Sequence, residues 1–269
     1  MAFIKDKKIP EVMQILFYNF VEILRSKHDD LIESLISGNL SADSRSNATL
    51  RHHMQAMDAK VKTGKQPFIY FQQLVDKNRN GPTKREMRKI LSYMMLYTEQ
   101  THSSAAIPTV NFFEFVRAVD QAFGTRRAHE PIEDFKNRRY LSKLENGPRK
   151  AVDKHRTTIE RFERKVTARM DSDSQSEHTP LFPPLAEIGY ATHYKRLREH
   201  KPHTNSNYLM NLAEAICTIF PDLSKYHIAQ RVVAAVWRIS HATAGKLLFS
   251  RLAQVYDDDR GGSAFLAQV

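Results

Sequence analysis

The sequence predicts an all-α protein, and three observations support that prediction. Apolar residues recur at intervals of three and four through most of the chain, which is the spacing of one helix face. No run of alternating apolar and polar residues is long enough to predict a half-buried strand. Thr83-Lys-Arg-Glu86 is a capping box, a pattern typical of a helix N-terminus.

The individual helices are placed by their end signals. Pro10 and Glu11 suit a first turn, and Gly38 and Gly64 suit positions just after a last turn. With the capping box, these signals predict helices over residues 11–38, 47–63, 84–99 and 111–123. Later in the chain, apolar periodicity predicts further helices over residues 149–170, 190–200, 207–220, 224–237 and 240–256.

Changes in composition divide the chain into four predicted regions. Residues 1–125 form an N-terminal helical region expected to serve protein contacts or dimerisation, and 126–170 form a basic helical segment. Residues 171–184 contain Ser, Asp and three prolines and are predicted to be a linker. Residues 185–269 form a C-terminal helical region.

The net charge favours a polyanionic partner. The 269 residues carry a formal net charge of +11, with a pI near 9.7. The excess lies in the middle of the chain, with 10 basic against 4 acidic residues in 51–100 and 14 against 7 in 126–170. Nucleic acid is the first expectation and an acidic membrane surface the second. No apolar run approaches the length of a membrane span.

Residues 230–248 have the internal spacing of two crossing helices. Apolar or small residues fill the positions where such helices meet, namely Val233, Ala234, Trp237, Ile239, Ala244 and Leu247. Ser240 stands where the second helix would begin, as an N-cap. This segment resembles the helix-turn-helix of DNA-binding proteins, except that Arg238 holds the turn position usually occupied by glycine. The resemblance implies a recognition helix with outward residues for a major groove: Ser240, His241, Thr243, Lys246 and Arg251.

Two basic clusters are candidates for phosphate contacts. The first lies in the middle of the chain and comprises Arg126, Arg127, Lys136, Arg138, Arg139, Arg149 and Lys150. Phe135 and Tyr140 lie within it and would stack on an unpaired base. The second comprises Lys195, Arg196 and Arg198. The alternative for both clusters is a solvated helix face.

Metal and catalytic motifs are weak in this sequence. Asp76–Gly81 looks like the first half of an EF-hand calcium loop, but Met87 stands where the bidentate acid belongs, so calcium binding is not expected. The histidines lack the partners of a zinc site, and neither a nucleophile elbow nor a glycine-rich phosphate loop is present. We therefore expect a non-enzymatic protein without metal or cofactor.

The sequence thus predicts a cytoplasmic transcriptional regulator that binds nucleic acid, with DNA favoured over RNA. Dimerisation would place two recognition helices on two half-sites. The single Cys217 lies in an apolar run and favours a reducing compartment. One alternative is a helical RNA-binding or nucleocapsid-type protein that coats a strand through its basic middle. The other is an adaptor whose basic face meets an acidic protein partner.

Overall fold

A three-stranded antiparallel sheet lies within the fold, so the all-α prediction is wrong and the protein is α+β. The computed structural model describes residues 11–64, 66–99, 112–124, 138–144, 149–151, 153–182, 184–200, 203, 208–238 and 240–253. The sheet has the order β4-β1-β5, formed by β1 (Phe68–Val75), β4 (Ala186–Ala191) and β5 (His227–Ala235). A small hairpin pairs β2 (Ser142–Leu144) with β3 (Arg149–Ala151).

Helices surround the sheet and make up most of the described residues. Before the central strand come α1 (Glu11–Arg25), α2 (Asp29–Ile36), α3 (Leu40–Ser46) and α4 (Ala48–Gly64). Between β1 and β4 lie α5 (Lys84–Thr98), α6 (Phe112–Gln121) and α7 (Asp153–Ser172). The remaining helices are α8 (Lys195–His200), α9 (Tyr208–Ile219) and α10 (Ser240–Leu252).

The central strand β1 was not predicted from the sequence, because helices cover both of its faces. All eight residues from Phe68 to Val75 are buried. A strand buried on both faces loses the alternation that marks a half-exposed strand, and the buried Gln72 and Gln73 also interrupt its apolar run. Its register places Phe71 opposite Ile188 on β4 and opposite Arg231 on β5.

The helix-turn-helix expectation fails at its first helix, because residues 227–235 form strand β5. The second predicted helix does exist, and it begins at Ser240 as expected. Trp237, predicted to fill a core position between the two helices, is 52% exposed. The spacing of apolar residues in this segment satisfies a strand followed by a helix as well as it satisfies two helices.

The two faces of the sheet pack against different helices. Ile69 and Phe71 of β1 join an apolar cluster with α1, α2, α3 and α10. Phe68 and Tyr70 point to the other side, where they pack with Val61 of α4 and Leu197 of α8. A larger cluster built on α5, α6, α7 and α9 meets the sheet at Leu74. The sheet joins residues from both the predicted N-terminal and the predicted C-terminal region.

Several local predictions are confirmed. Thr83 and Glu86 form the capping box of α5, with the Thr83 N–H donating to Glu86 Oε2 at 2.9 Å. Gly38 has φ +66°, a left-handed conformation that suits glycine after a helix end. The helices predicted from residues 47 and 207 correspond to α4 and α9.

The segment predicted as a linker is tied to the start of α5. The buried Lys84 side chain donates to the Asp173 and Gln175 carbonyl oxygens at 2.7 and 2.8 Å and pairs with the Asp173 carboxylate at 2.9 Å. Thr83 and Pro180 form an isolated β-bridge. Residues 173–180 therefore pack against the helix instead of spanning a gap.

The EF-hand likeness has no structural counterpart. Residues 76–81 connect strand β1 to helix α5, whereas a calcium-binding hand needs a helix on each side of its loop. Asp76 Oδ1 instead accepts hydrogen bonds from the backbone N–H groups of Asn78 and Asn80, at 2.8 and 2.9 Å. The aspartate therefore shapes a tight turn.

Candidate nucleic-acid interface

A cavity of about 1190 Å³ opens beside the edge strand β5. It is bounded by α3, α4, the turn at residues 76–80, α8 and β5, with Phe123 and Glu214 at its border. Seven of the side chains that line it are cationic: Arg45, Arg51, Lys62, Lys77, Arg79, Arg198 and Arg231.

Helix α4 supplies one wall through its periodicity. Arg51, Gln55, Asp58 and Lys62 are spaced by four, three and four residues, so they lie on one face of the helix. Lys62 Nζ pairs with the Asp58 carboxylate at 2.5 Å and lies 5.2 Å from the centre of the Tyr194 ring. An aromatic ring therefore stands beside the cationic wall.

The turn after β1 supplies the next part of the lining. The two hydrogen bonds to Asp76 fix the turn, and Arg79 adopts φ +71° within it. Lys77 and Arg79 line the cavity from this turn. The same residues that resemble half a calcium loop thus present two cations, which would repel a metal ion.

The lining carries an excess of positive charge. Asp58 and Glu214 are its two acidic residues, and Asp58 is paired with Lys62. Among the described residues, no carboxylate lies within ion-pair distance of the other six cationic side chains of the lining. Burial and the neighbouring Arg79 both lower the pKa of Arg231, as expected where like charges converge.

Backbone carbonyls hold three of these guanidinium groups in place. Arg45 donates to the Lys77 carbonyl at 3.2 Å, Arg51 to the Arg45 carbonyl at 2.7 Å, and Arg231 to the Gln230 carbonyl at 3.0 Å. A guanidinium has five N–H donors, so one such bond leaves most of them available. Arg45 and Arg51 are also exposed to solvent.

Glu214 is engaged in a buried hydrogen-bond chain at the border of the cavity. Its Oε1 accepts from the Ile228 N–H at 2.6 Å, and its Oε2 lies 2.8 Å from His203 Nε2. His203 Nδ1 is 2.8 Å from the Tyr140 hydroxyl, and Phe123 stacks on the imidazole at 3.8 Å. Burial lowers the pKa of His203 even though Glu214 acts to raise it. The chain fixes α9 to β5.

Three of the four basic residues of α5 differ from most of those in the cavity because they are paired. Arg88 contacts Asp171 and Glu177, Lys89 contacts Asp222, and Lys84 contacts Asp173. Within the described residues, the charge excess of residues 51–100 is therefore mostly balanced on α5 and mostly unbalanced on α4 and the following turn. A count of charges along the sequence cannot separate the two groups.

The predicted recognition helix α10 packs into the protein along much of its length. His241 is buried, with Nε2 3.1 Å from Glu22 Oε2, and Lys246 is half-buried. Burial lowers the pKa of Lys246. Thr243 and Arg251 are exposed. The structure describes Ser240 only as the first residue of the helix. Because His241 is buried and Lys246 is half-buried, α10 does not present the continuous polar outer face that was expected.

The central basic cluster is divided by the structure. Arg138 is fully buried, donates to the Tyr97 carbonyl at 2.5 Å and lies over the Phe112 ring. Arg139 is half-buried and donates to the carbonyls of Asp120 and Phe123. Tyr140, expected to stack on a base, is buried. Arg149 and Lys150 belong to β3, while Arg126, Arg127, Phe135 and Lys136 lie outside the described residues.

Helix α8 holds the second predicted basic cluster. Lys195 and Arg198 are exposed and Arg196 is half-buried. Of the predicted contact residues, Arg198 lines the cavity. The sequence reasoning missed the cations of α3, α4, the turn and β5. Its one signal for them was the 10-to-4 charge imbalance of residues 51–100.

Comparison with protein-family models, curated protein sequences and solved structures finds no significant match. Within the described residues, no helix has the length and apolar character needed to cross a membrane. The described part of the chain also brings together no group of His, Cys, Asp and Glu side chains suited to a metal ion. The cationic cavity is therefore the feature of the molecule that bears most directly on function.

Proposed function

We propose that this protein binds nucleic acid through the cationic cavity beside β5. The observation that carries the proposal is that six cationic side chains line one cavity with no carboxylate of the described chain within ion-pair distance. Phosphate groups are the natural counter-ions for such a lining, and contacts of this kind supply most of the affinity of sequence-independent binding.

The size of the cavity favours a polymer over a small molecule. Its volume of about 1190 Å³ exceeds the range of roughly 300–1,000 Å³ that is usual for small-molecule pockets. Its cations are distributed over α3, α4, the turn, α8 and β5 instead of converging on one point. That distribution suits a row of phosphates.

Strand coating suits this geometry better than reading of a major groove. Groove reading needs a protruding helix with a polar outer face, and α10 buries His241 and Ser250. A cavity with Tyr194 and Phe123 among its lining residues suits a flexible strand with accessible bases. We further propose a cytoplasmic location, supported by the buried free thiol of Cys217.

The proposal is tested by neutralising two exposed cations of the cavity, with Arg51→Gln and Arg198→Gln combined. A fluorescence-anisotropy titration with a labelled single strand, repeated at several salt concentrations, gives the affinity and its salt dependence. Loss of two phosphate contacts should make the slope of log binding constant against log salt concentration shallower by about 1.4, at roughly 0.7 per contact with a single strand.

The matched control is the pair Arg161→Gln and Arg164→Gln on α7, two exposed arginines that do not line the cavity. It changes the net charge by the same amount. We expect a clearly smaller change in slope for the control. Equal losses in both double variants would mean that only overall charge matters, and the cavity assignment would be abandoned. Binding to an acidic protein but to no nucleic acid would favour the adaptor alternative.

A further inference from the structure

Two ammonium groups lie over the exposed indole of Trp237. Trp237 follows the end of β5 and is 52% exposed, a large fraction for a bulky apolar side chain. The Nζ atoms of Lys27 and Lys60 lie 5.3 and 5.4 Å from the centre of its ring. The backbone beside it is fixed, because the Val236 N–H donates to the Pro67 carbonyl at 2.8 Å.

One of these two lysines is an unbalanced buried charge. Lys27 is 8% exposed, and its Nζ has no hydrogen-bond partner within the described part of the chain. Burial, followed by the charge of Lys60, lowers the pKa of Lys27 to about 8. His53 Nε2 is likewise buried without a partner among the described residues, and burial and Lys27 lower the pKa of that imidazole. The ring therefore lies beside an ammonium group that has no carboxylate partner among the described residues.

We propose that Trp237, with Lys27 and Lys60, is a stacking subsite for an unpaired base of single-stranded nucleic acid. This inference rests on the proposed function, because it extends the phosphate-binding cavity to a place where a base is held. An indole offers a large flat surface, and stacking on an aromatic ring accepts any of the bases. The two ammonium groups then face the negatively charged strand that carries the base.

The subsite lies within reach of the cavity. Lys60 at the ring and Lys62 in the cavity are two residues apart on α4, a spacing that directs the two side chains to different sides of the helix. Val232 lines the cavity and Trp237 follows five residues later on the same chain segment. At a rise of about 3.3 Å per residue, that separation is at most about 17 Å. A short strand could occupy both places at once.

An exposed tryptophan with an unbalanced lysine is difficult to explain by stability alone. A buried charge without a partner destabilises the folded state, and an exposed indole contributes little to a core. Departures of this kind are expected at binding sites, where the missing partner is supplied by the ligand. Lys60 is exposed, so its side chain can leave the ring when a base arrives.

The sequence makes the test direct, because Trp237 is the one tryptophan of the chain. We would titrate the full-length protein with three probes of equal length and follow its intrinsic fluorescence: a mixed-sequence single strand, the matching duplex, and an abasic single strand. The single strand should quench the emission. The duplex and the abasic strand should bind by their phosphates and quench little.

Substitution provides the second measurement. By anisotropy with a labelled single strand, Trp237→Ala should weaken binding by roughly 5- to 150-fold, the range for loss of one stacked base. Trp237→Phe should recover part of that loss, and binding of the abasic strand should be unchanged in both. Phe182→Leu, which alters another exposed aromatic side chain, is the matched control and should bind as the wild type does.

The outcomes separate this inference from the proposed function. Single-strand binding without quenching, or equal quenching by the single strand and the abasic strand, overturns the stacking subsite and leaves the cavity proposal intact. Absence of binding by all three probes overturns the proposed function itself. Because quenching is measured on the unaltered protein, the test remains decisive even where Trp237→Ala fails to fold.

Discussion

Replacement of Lys27 by methionine should stabilise the protein at neutral pH. The Lys27 side chain is buried and its ammonium has no hydrogen-bond partner within the described part of the chain. Methionine has a similar unbranched shape, so it preserves the packing of the stem and removes the charge. The substitution therefore measures the net free energy of burying this ammonium group, including its contact with the Trp237 ring.

The magnitude follows from the lowered pKa. The pKa falls from 10.5 to about 8, and one unit corresponds to about 1.4 kcal/mol, so the expected destabilisation by Lys27 is about 3 kcal/mol. Below pH 8 the amine is protonated in both the folded and the unfolded state, so the full destabilisation is present. Between pH 8 and 10.5 the unfolded chain binds the extra proton, and wild-type stability rises with pH.

Urea denaturation of both proteins at several pH values measures this effect. We expect Lys27→Met to exceed the wild type by up to about 3 kcal/mol at pH 7, and the difference to shrink toward pH 10.5. Lys60→Met, which changes an exposed residue, should remain within about 0.5 kcal/mol of the wild type. A Lys27→Met variant that is less stable than the wild type by the same amount at every pH would refute the reasoning.

Three further substitutions test the fold and the division between structural and binding residues. Glu86→Gln should lower the free energy of unfolding by about 1–2 kcal/mol at pH 7, because hydrogen bonds from Lys225, Thr83 and Tyr226 outweigh burial and lower the pKa of Glu86 to about 2. That pKa is depressed, so denaturation at lower pH should show the difference disappearing as pH falls from about 4.5 toward 2. Gly189→Ala would push a methyl group into the Tyr70 ring, so its free energy of unfolding, measured by denaturant, should fall by about 1–3 kcal/mol. The control is Gly81→Ala, where the nearest atom to the added methyl group is 3.8 Å away. If Gly189→Ala is destabilised no more than Gly81→Ala, the sheet register is contradicted. Arg138→Met should lower the free energy of unfolding by about 1–3 kcal/mol, while the folded variant should bind a single strand as the wild type does. A shallower salt dependence of binding in this variant would mean that Arg138 contacts phosphate.

The parts of the fold that sequence predicted are those governed by local chemistry. The capping box at Thr83, the glycine stop at Gly38 and the amphipathic helices α4 and α9 depend on residues a few positions apart. The strands were missed because their identity depends on distant partners. The segment 68–75 becomes a strand only because residues 186–191 and 227–235 pair with it from both sides.

The candidate site was predicted only in outline. The positive charge predicts a polyanionic partner, which stays a prediction, and charge along a sequence does not show which side chains find acidic neighbours. Arg88 and Lys89 find them, and Arg51 finds none within the part of the chain that the structure describes. Trp237 was expected in a core because it fills a core position of the helix-turn-helix spacing. That expectation failed because residues 227–235 form an edge strand and Trp237, which follows it, is exposed.

Binding of the unaltered, folded protein to nucleic acid is the most direct test of the central claim. Fluorescence anisotropy should be measured with a random single strand and a random duplex, each at two salt concentrations. The cationic cavity predicts binding that weakens steeply as salt rises, with the single strand preferred. Absence of binding to either probe at low salt, by protein whose folding is verified by circular dichroism, would contradict the claim.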